Sequence, residues 1–319
     1  MPEVQTVQGS VDASELGVTL IHEHMRTRDE AVAAQWPRAY DERDELEKVL
    51  SEVRGAQGHG VQTIVDPTAM FLGRDVRFMK QIADETGVHV VACTGIYSYG
   101  HLPQFFTNRD LDAMAALFVS DIEEGIQGTP IRAAFIKCAA DAEGVTESIE
   151  KIHRAAARAC IQTGVPIMTH SAPPTANASR QIDILLEEGV EPARIQIAHA
   201  GDTDDVDFIE SLIERGVYVG MDRYGLELFL PIAKRNATVA ELLRRGHAER
   251  IMLSQDASPT LDWYPAESRP QFEASGAIHN WTMSLLFEEI LPTLRELGVM
   301  DDAVFQTVFV DNPRRWLTA

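Results

Sequence analysis

A formal net charge of −21 over 319 residues, from 49 acidic against 28 basic side chains, makes nucleic acid and anionic membranes poor partners. With 45% hydrophobic and 24% charged residues the chain reads as globular rather than disordered, and its length suits two ordinary domains or one α/β barrel, which commonly needs ~250 residues. Cys93, Cys138 and Cys160 are too few and too apolar in setting for a disulfide framework, and neither a signal peptide nor an apolar run of about 18 residues occurs, so the expected setting is the reducing cytoplasm.

In chain order, short apolar strand-like runs recur at 18–24, 62–66, 88–95, 131–137, 165–170, 194–199, 217–222 and 250–256. Amphipathic helical stretches separate them, at 41–57, 75–85, 111–126, 145–163, 179–188, 204–215 and 239–245, and a helical tail runs from Met283 onward. The acidic clusters "DERDELEK" and "DTDDVD" lack the glycine and distal glutamate of a calcium loop and read as helix starts, where acids favour the dipole. Continuous apolar strands alternating with helices indicate a parallel sheet covered on both faces. Eight such units predict a single (β/α)8 TIM barrel over residues 1–319. A doubly wound open sheet is the alternative, but no glycine-rich phosphate loop follows any strand.

The first strand poses the chemical question. "GVTLIHEHMR" ends an apolar run in His22, Glu23 and His24, and in an extended segment His22 and His24 project to the same face. On spacing alone this is equally a pair of metal ligands or one packed and one solvated histidine. The other strand ends are also polar: Asp66, Lys137, His170, His199, Asp222 and Asp256. In barrel enzymes these ends form the active-site face, so residues spread over the whole chain would converge on one mouth. Several imidazoles plus a carboxylate suit zinc, iron, cobalt or manganese and not calcium. His59, His89, His101, His153, His247 and His279 lie in helices, loops or before a strand and read as structural or solvated.

Lys137 closes the buried run "AAFIK", where an ammonium ion faces a desolvation cost and repulsion from nearby metals. Reaction with carbon dioxide would solve both problems, since a carbamate is anionic and offers two oxygens. A Schiff-base aldolase would also place a lysine at a strand end, but it has no need of four histidines and an aspartate around it.

Taken together, "GVTLIHEH", "GVQTIVDPTAMFLGRDVRFM", "TGIYSY", "AAFIKCAAD", "VPIMTHS", "AHAGDTDD", "GMDRYGLELFLP" and "IMLSQD" resemble the phosphotriesterase-like lactonases of the amidohydrolase superfamily, from about residue 5 to the end. The resemblance implies two divalent metal ions, zinc first, with iron, cobalt or manganese as alternatives. His22, His24 and Asp256 would hold the more buried ion, and His170 and His199 the more exposed one. N6-carboxylated Lys137 and a hydroxide would bridge them. Tyr97 and Arg223 match positions that contact substrate or support the ligands, and Asp66 and Asp222 are left as hydrogen-bonding residues of the mouth.

The implied activity is hydrolytic opening of lactones, N-acyl-homoserine lactones and other γ- or δ-lactones in the manner of quorum-quenching enzymes, with organophosphate triesters as side substrates. Two metals can bring a shared water to a pKa of about 7 and polarise the substrate oxygen. Tyr97 would help hold the oxyanion, and Asp256 would relay a proton to the leaving oxygen. Leu228, Phe229, Leu230, Trp263, Tyr264, Phe272 and Trp281 in the last loops suit an aliphatic tail or, equally, an interface or a barrel cap. Two departures from the family pattern are Gln255, where many relatives carry histidine or asparagine, and the following "ASPTLDWYPAESRPQF". Both bear on substrate preference. A dedicated organophosphate triester hydrolase and a non-catalytic binding protein are the other readings, and relatives imply a homodimer.

Overall fold

The computed structural model describes residues 2–97, 100, 102–172, 177–265 and 267–319. An antiparallel hairpin, β1 (Glu3–Thr6) and β2 (Gly9–Asp12), precedes the barrel. Its short, largely polar strands gave no periodic signal. Val4 and Ala13 nevertheless pack with Phe135, Met168, Tyr218, Met252 and Trp316, residues from the inner face of the sheet and the C-terminal helix, and plug the end where the strands start.

Eight parallel strands follow: β3 (Val18–Leu20), β4 (Val61–Asp66), β5 (His89–Gly95), β6 (Phe135–Ala140), β7 (Ile167–Ser171), β8 (Ile195–Ala198), β9 (Tyr218–Met221) and β10 (Ile251–Leu253). Each pairs with the next, in the order β3 to β10. The two end strands meet where the chain leaves them: Asp256 N donates to the His22 carbonyl (3.1 Å) and His24 N to the Ala257 carbonyl (2.9 Å). With helices between the strands, this is a (β/α)8 barrel.

The helices start where side chains can cap them. Asp41, Asp75, Asp110, Thr146 and Asp205 each accept a backbone N–H of the first turn. Both acidic clusters therefore contribute a cap, Asp41 in one and Asp205 in the other. Apolar residues at helical spacing, such as Val49, Val53 and Ala56 or Ile149, Ile152 and Ala156, then bury one face on the sheet.

Among the boundaries that differ from the sequence pattern, three bear on how the strand ends and the core are built. Regular pairing of the first strand stops at Leu20, so His22 and His24 lie just beyond it. The fourth barrel strand runs Phe135–Ala140, which makes Lys137 an interior strand residue rather than its end. Small Cys138, Ala139 and Ala140 let it go on pairing with β7, as far as Ala140 with Ser171. The helix expected from Val239 begins at Ile232, because Glu227 accepts the Ile232 N–H and fully buried Arg235 occupies a core position that an apolar residue would normally mark. Among the described residues no helix is long and apolar enough to cross a membrane.

Candidate metal centre

His22, His24, Lys137, His170, His199 and Asp256 come together at the mouth where the strands end, all buried. Asp256 Oδ1 lies 3.3 Å from His22 Nε2 and 3.1 Å from His24 Nε2. Lys137 Nζ is 3.4 Å from His22 Nε2. His199 Nε2 is 3.9 Å from Asp256 Oδ2, and the His170 and His199 rings are 4.6 Å apart. Donor atoms of His22, His199 and Asp256 all lie within 4.8 Å of one another, close enough to share an ion.

The outer hydrogen bonds decide which ring nitrogen faces inward. Asp222, fully buried, accepts from His22 Nδ1 through Oδ2 (3.0 Å) and from His199 Nδ1 through Oδ1 (2.9 Å). A carboxylate only accepts, so both protons sit on Nδ1 and both Nε2 lone pairs point into the cluster. His24 Nδ1 faces the Thr68 hydroxyl (2.8 Å), with Asp66 behind it, and presents Nε2 likewise. His170 is turned the other way: its Nδ1 meets Tyr97 Oη (3.0 Å) and Arg223 (3.5 Å), while Nε2 faces the Asp141 carboxylate at 3.7 Å. The result is three Nε2 atoms, one Nδ1, an amine and a carboxylate aimed at one space, a donor set that fits divalent transition metals.

Charge follows the same logic. Burial pulls the His22 and His170 imidazoles down to about 4, and His199 well below its ordinary value, so all three are neutral at neutral pH. Burial by itself would push the Asp256 and Asp222 carboxyls up, but His22 and His199 around both hold them well below the carboxylate range. Burial draws the Lys137 ammonium down to about 8, against the pull of Asp256 and Asp222. A neutral amine is the form that reacts with carbon dioxide.

Two backbone positions are strained. His199 (φ 65°) and Asp256 (φ 54°) are among five non-glycine residues with positive φ in the described chain. Such outliers cost on the order of 1–3 kcal/mol and persist where surroundings over-determine them. Asp222 Oδ1 receives the His199 N–H (2.7 Å). Glu23, pointing away from the cluster, accepts from Ser254 Oγ (2.7 Å), Gln255 N (2.9 Å) and Ala257 N (2.7 Å) around Asp256. Burial pushes the Glu23 carboxyl up, yet all three partners are donors, so this seam fits the ionised form.

Arg223 lies between two carboxylates, with Nε on Asp256 (2.9 Å) and Nη1 on Asp202 (3.0 Å). Arg235 pairs with the other Asp202 oxygen at 3.0 Å. Asp202, read from sequence as part of a helix start, is instead a buried charge that anchors both arginines; the helix begins only at Val206. Sequence reasoning also missed Asp141 and Thr68. The available signal was position, since each lies just past a strand end.

Leu228 and Trp263 stand at the rim, 58% and 46% exposed, while Phe229 lies over the Arg223 guanidinium at 4.5 Å. Trp281 donates to the Gln255 carbonyl, and Tyr264 packs edge-on against Phe272. The Gln255 side-chain amide donates to the Thr282 carbonyl (3.2 Å). Of the remaining histidines, His59, His247 and His279 pair with glutamates and His153 is buried between helix and sheet. His89 opens β5, and His101 lies outside the described residues.

The Phosphotriesterase family profile matches residues 2–317. The chain is 46% identical to the aryldialkylphosphatase of Saccharolobus solfataricus over 97% of each protein. It is 38% identical to the phosphotriesterase homology protein of Mycobacterium tuberculosis, covering 99% of this chain and 97% of that protein. The solved structure of the phosphotriesterase from Mycobacterium tuberculosis superposes with a TM-score of 0.94 at 37% identity, covering 99% of this chain and 98% of that one.

Proposed function

The chain belongs to the phosphotriesterase family, and from that premise of an ester-bond hydrolase we propose that it opens lactones with the help of two divalent metal ions, hydrolysing organophosphate triesters as a side activity. The observation that carries this reading is the meeting of His22, His24, Lys137 and Asp256 within 3.1–3.4 Å contacts beside His170 and His199. His22, His24 and Asp256 would hold one ion, His170 and His199 the other, and Lys137 as a carbamate would serve both. Ions bound there would acidify a water to a pKa of about 7 and polarise the substrate's carbonyl or phosphoryl oxygen.

The chain's own residues do the rest. Asp256, kept anionic by its neighbours, receives the proton released from the attacking water and passes it toward the leaving oxygen. Arg223, fixed by Asp202 and Asp256, stays protonated and would offer its remaining N–H groups to an oxyanion or a carboxylate product. Tyr97 Oη, 3.0 Å from His170 Nδ1, would serve as a neutral donor to the developing oxyanion. Leu228 and Trp263, with Phe229, offer an apolar rim for an acyl chain. The same reading takes zinc as the metal, the cytoplasm as the setting and a homodimer as the working form.

A dedicated organophosphate triester hydrolase is the second reading, favoured by the activity named for the Saccharolobus relative. Elemental analysis, with kcat/KM for N-acyl-homoserine lactones, plain γ- and δ-lactones and paraoxon-type triesters on the metal-loaded protein, separates the two. Lactone values above triester values support the proposal, and triester turnover alone supports the second reading.

A further inference from the structure

The seam between the first and last barrel strands is held by a side chain. Backbone bonds join Asp256 N to the His22 carbonyl and His24 N to the Ala257 carbonyl, but the N–H groups on either side of Asp256, those of Gln255 and Ala257, have no strand carbonyl to meet. Both end on Glu23, at 2.9 and 2.7 Å, and Glu23 is fully buried. Ser254 completes the set by donating Oγ to Glu23 (2.7 Å) while accepting the His22 N–H (3.0 Å). Between the two N–H groups that Glu23 grips, Asp256 takes φ 54° and swings its carboxylate to within 3.3 Å of both His22 and His24.

We propose that Glu23 is a positioning residue for the metal centre: its carboxylate replaces strand pairing across the barrel seam and thereby fixes Asp256 in the left-handed turn that brings it to His22 and His24. The inference rests on the metal reading above. Both carboxylate oxygens are in use, so the fit depends on charge as well as shape. Glutamine supplies one acceptor and sets an NH2 group against an N–H, and aspartate is too short to reach both flanks. Losing this grip should loosen the ion held by His22, His24 and Asp256 and spare the one held by His170 and His199. Removing a residue one step beyond a ligand typically costs 10–100-fold in metal affinity.

The test uses the full chain stripped of metal and titrated with Co2+, with stoichiometry from elemental analysis and site affinities from chelator competition followed by visible absorption. Wild type should bind two ions per chain. Glu23→Gln should weaken one of them at least about 10-fold and leave the other unchanged, and Ser254→Ala, which keeps the carboxylate, should show a smaller loss at the same site. Glu30→Gln, a change to a carboxylate that accepts the Phe71 and Gly73 N–H groups elsewhere, should leave both affinities as in wild type. Unchanged affinities in Glu23→Gln, or parallel weakening of both ions, would overturn the inference. If Glu23→Gln does not fold, unaltered binding by Ser254→Ala overturns it. A wild-type chain that binds no pair of ions overturns the metal reading first and the inference with it.

Discussion

Asp222 holds His199 twice through one oxygen, taking both its backbone N–H (2.7 Å) and its ring Nδ1–H (2.9 Å) on Oδ1. The other oxygen takes His22 Nδ1, so a single buried carboxylate orients one histidine proposed for each metal. Asp222→Asn removes one acceptor and must release one ring. A 10–100-fold drop in metal affinity is expected, at about the cost of losing any such partner. Gly220→Ala should act through the same group, since a Cβ there would lie 2.2 Å from Asp222 Oδ2. Metal retention after dialysis, compared across the two variants, checks both, and full retention in Asp222→Asn would count against this role.

Lys137 is expected to be indispensable as an anion. Lys137→Ala should lower kcat/KM by more than about 100-fold, beyond what a supporting residue costs, and short carboxylic acids added to the assay should restore part of it by standing in for the carbamate. Wild-type activity in the alanine variant would end the carbamate reading. The neighbouring strand leaves no slack either. Gly95 sits at φ 112°, and a Cβ on it would lie 2.0 Å from the Lys137 carbonyl oxygen. Gly95→Ala should therefore destabilise the fold by at least about 2 kcal/mol, read from urea midpoints.

These residues show how far the sequence could be read. The strand-helix alternation and the polar strand ends were legible because burial on both faces forces unbroken apolar runs and because the mouth is where such runs stop. The ring tautomers were not, since they depend on Asp222, Thr68, Tyr97 and Asp141, which are distant in sequence from the histidines they orient. Arg235 and Asp202 were hidden for a related reason: their charges cancel inside the structure, and a buried ion pair leaves no periodic trace. The N-terminal hairpin was illegible because its pairing is backbone chemistry with little apolar pattern.

The rim should control which substrates are preferred and not whether they react. Trp263 is 46% exposed, so Trp263→Ala should leave stability within about 0.5 kcal/mol. It should raise KM for long-chain acyl lactones while kcat for a short γ-lactone stays near wild type. Steady-state kinetics across chain lengths would show this, and a uniform fall in kcat would place Trp263 in the chemistry instead.

Acid should find a weak point behind the proposed metal centre. His153 is fully buried on the helix Glu147–Thr163, with Nδ1 on the Ile149 carbonyl (2.8 Å) and Nε2 near Thr169 Oγ1 (3.2 Å). Gln181 joins the network and also donates to the His170 carbonyl (2.9 Å), so loosening it reaches a proposed ligand. Burial pulls the His153 imidazole from 6.5 down to about 4. Unfolding then takes up a proton between about pH 4 and pH 6.5, so the stabilisation is whole above pH 6.5, shrinks as pH falls, and is gone once the pH passes below about 4. Between pH 8 and pH 5 this one group accounts for about 2 kcal/mol of lost stability. His153→Gln keeps a hydrogen-bonding side chain and does not titrate. Its urea midpoint should fall less than that of wild type over the same pH interval, and an equal fall would mean that His153 takes up its proton in the folded protein without resistance.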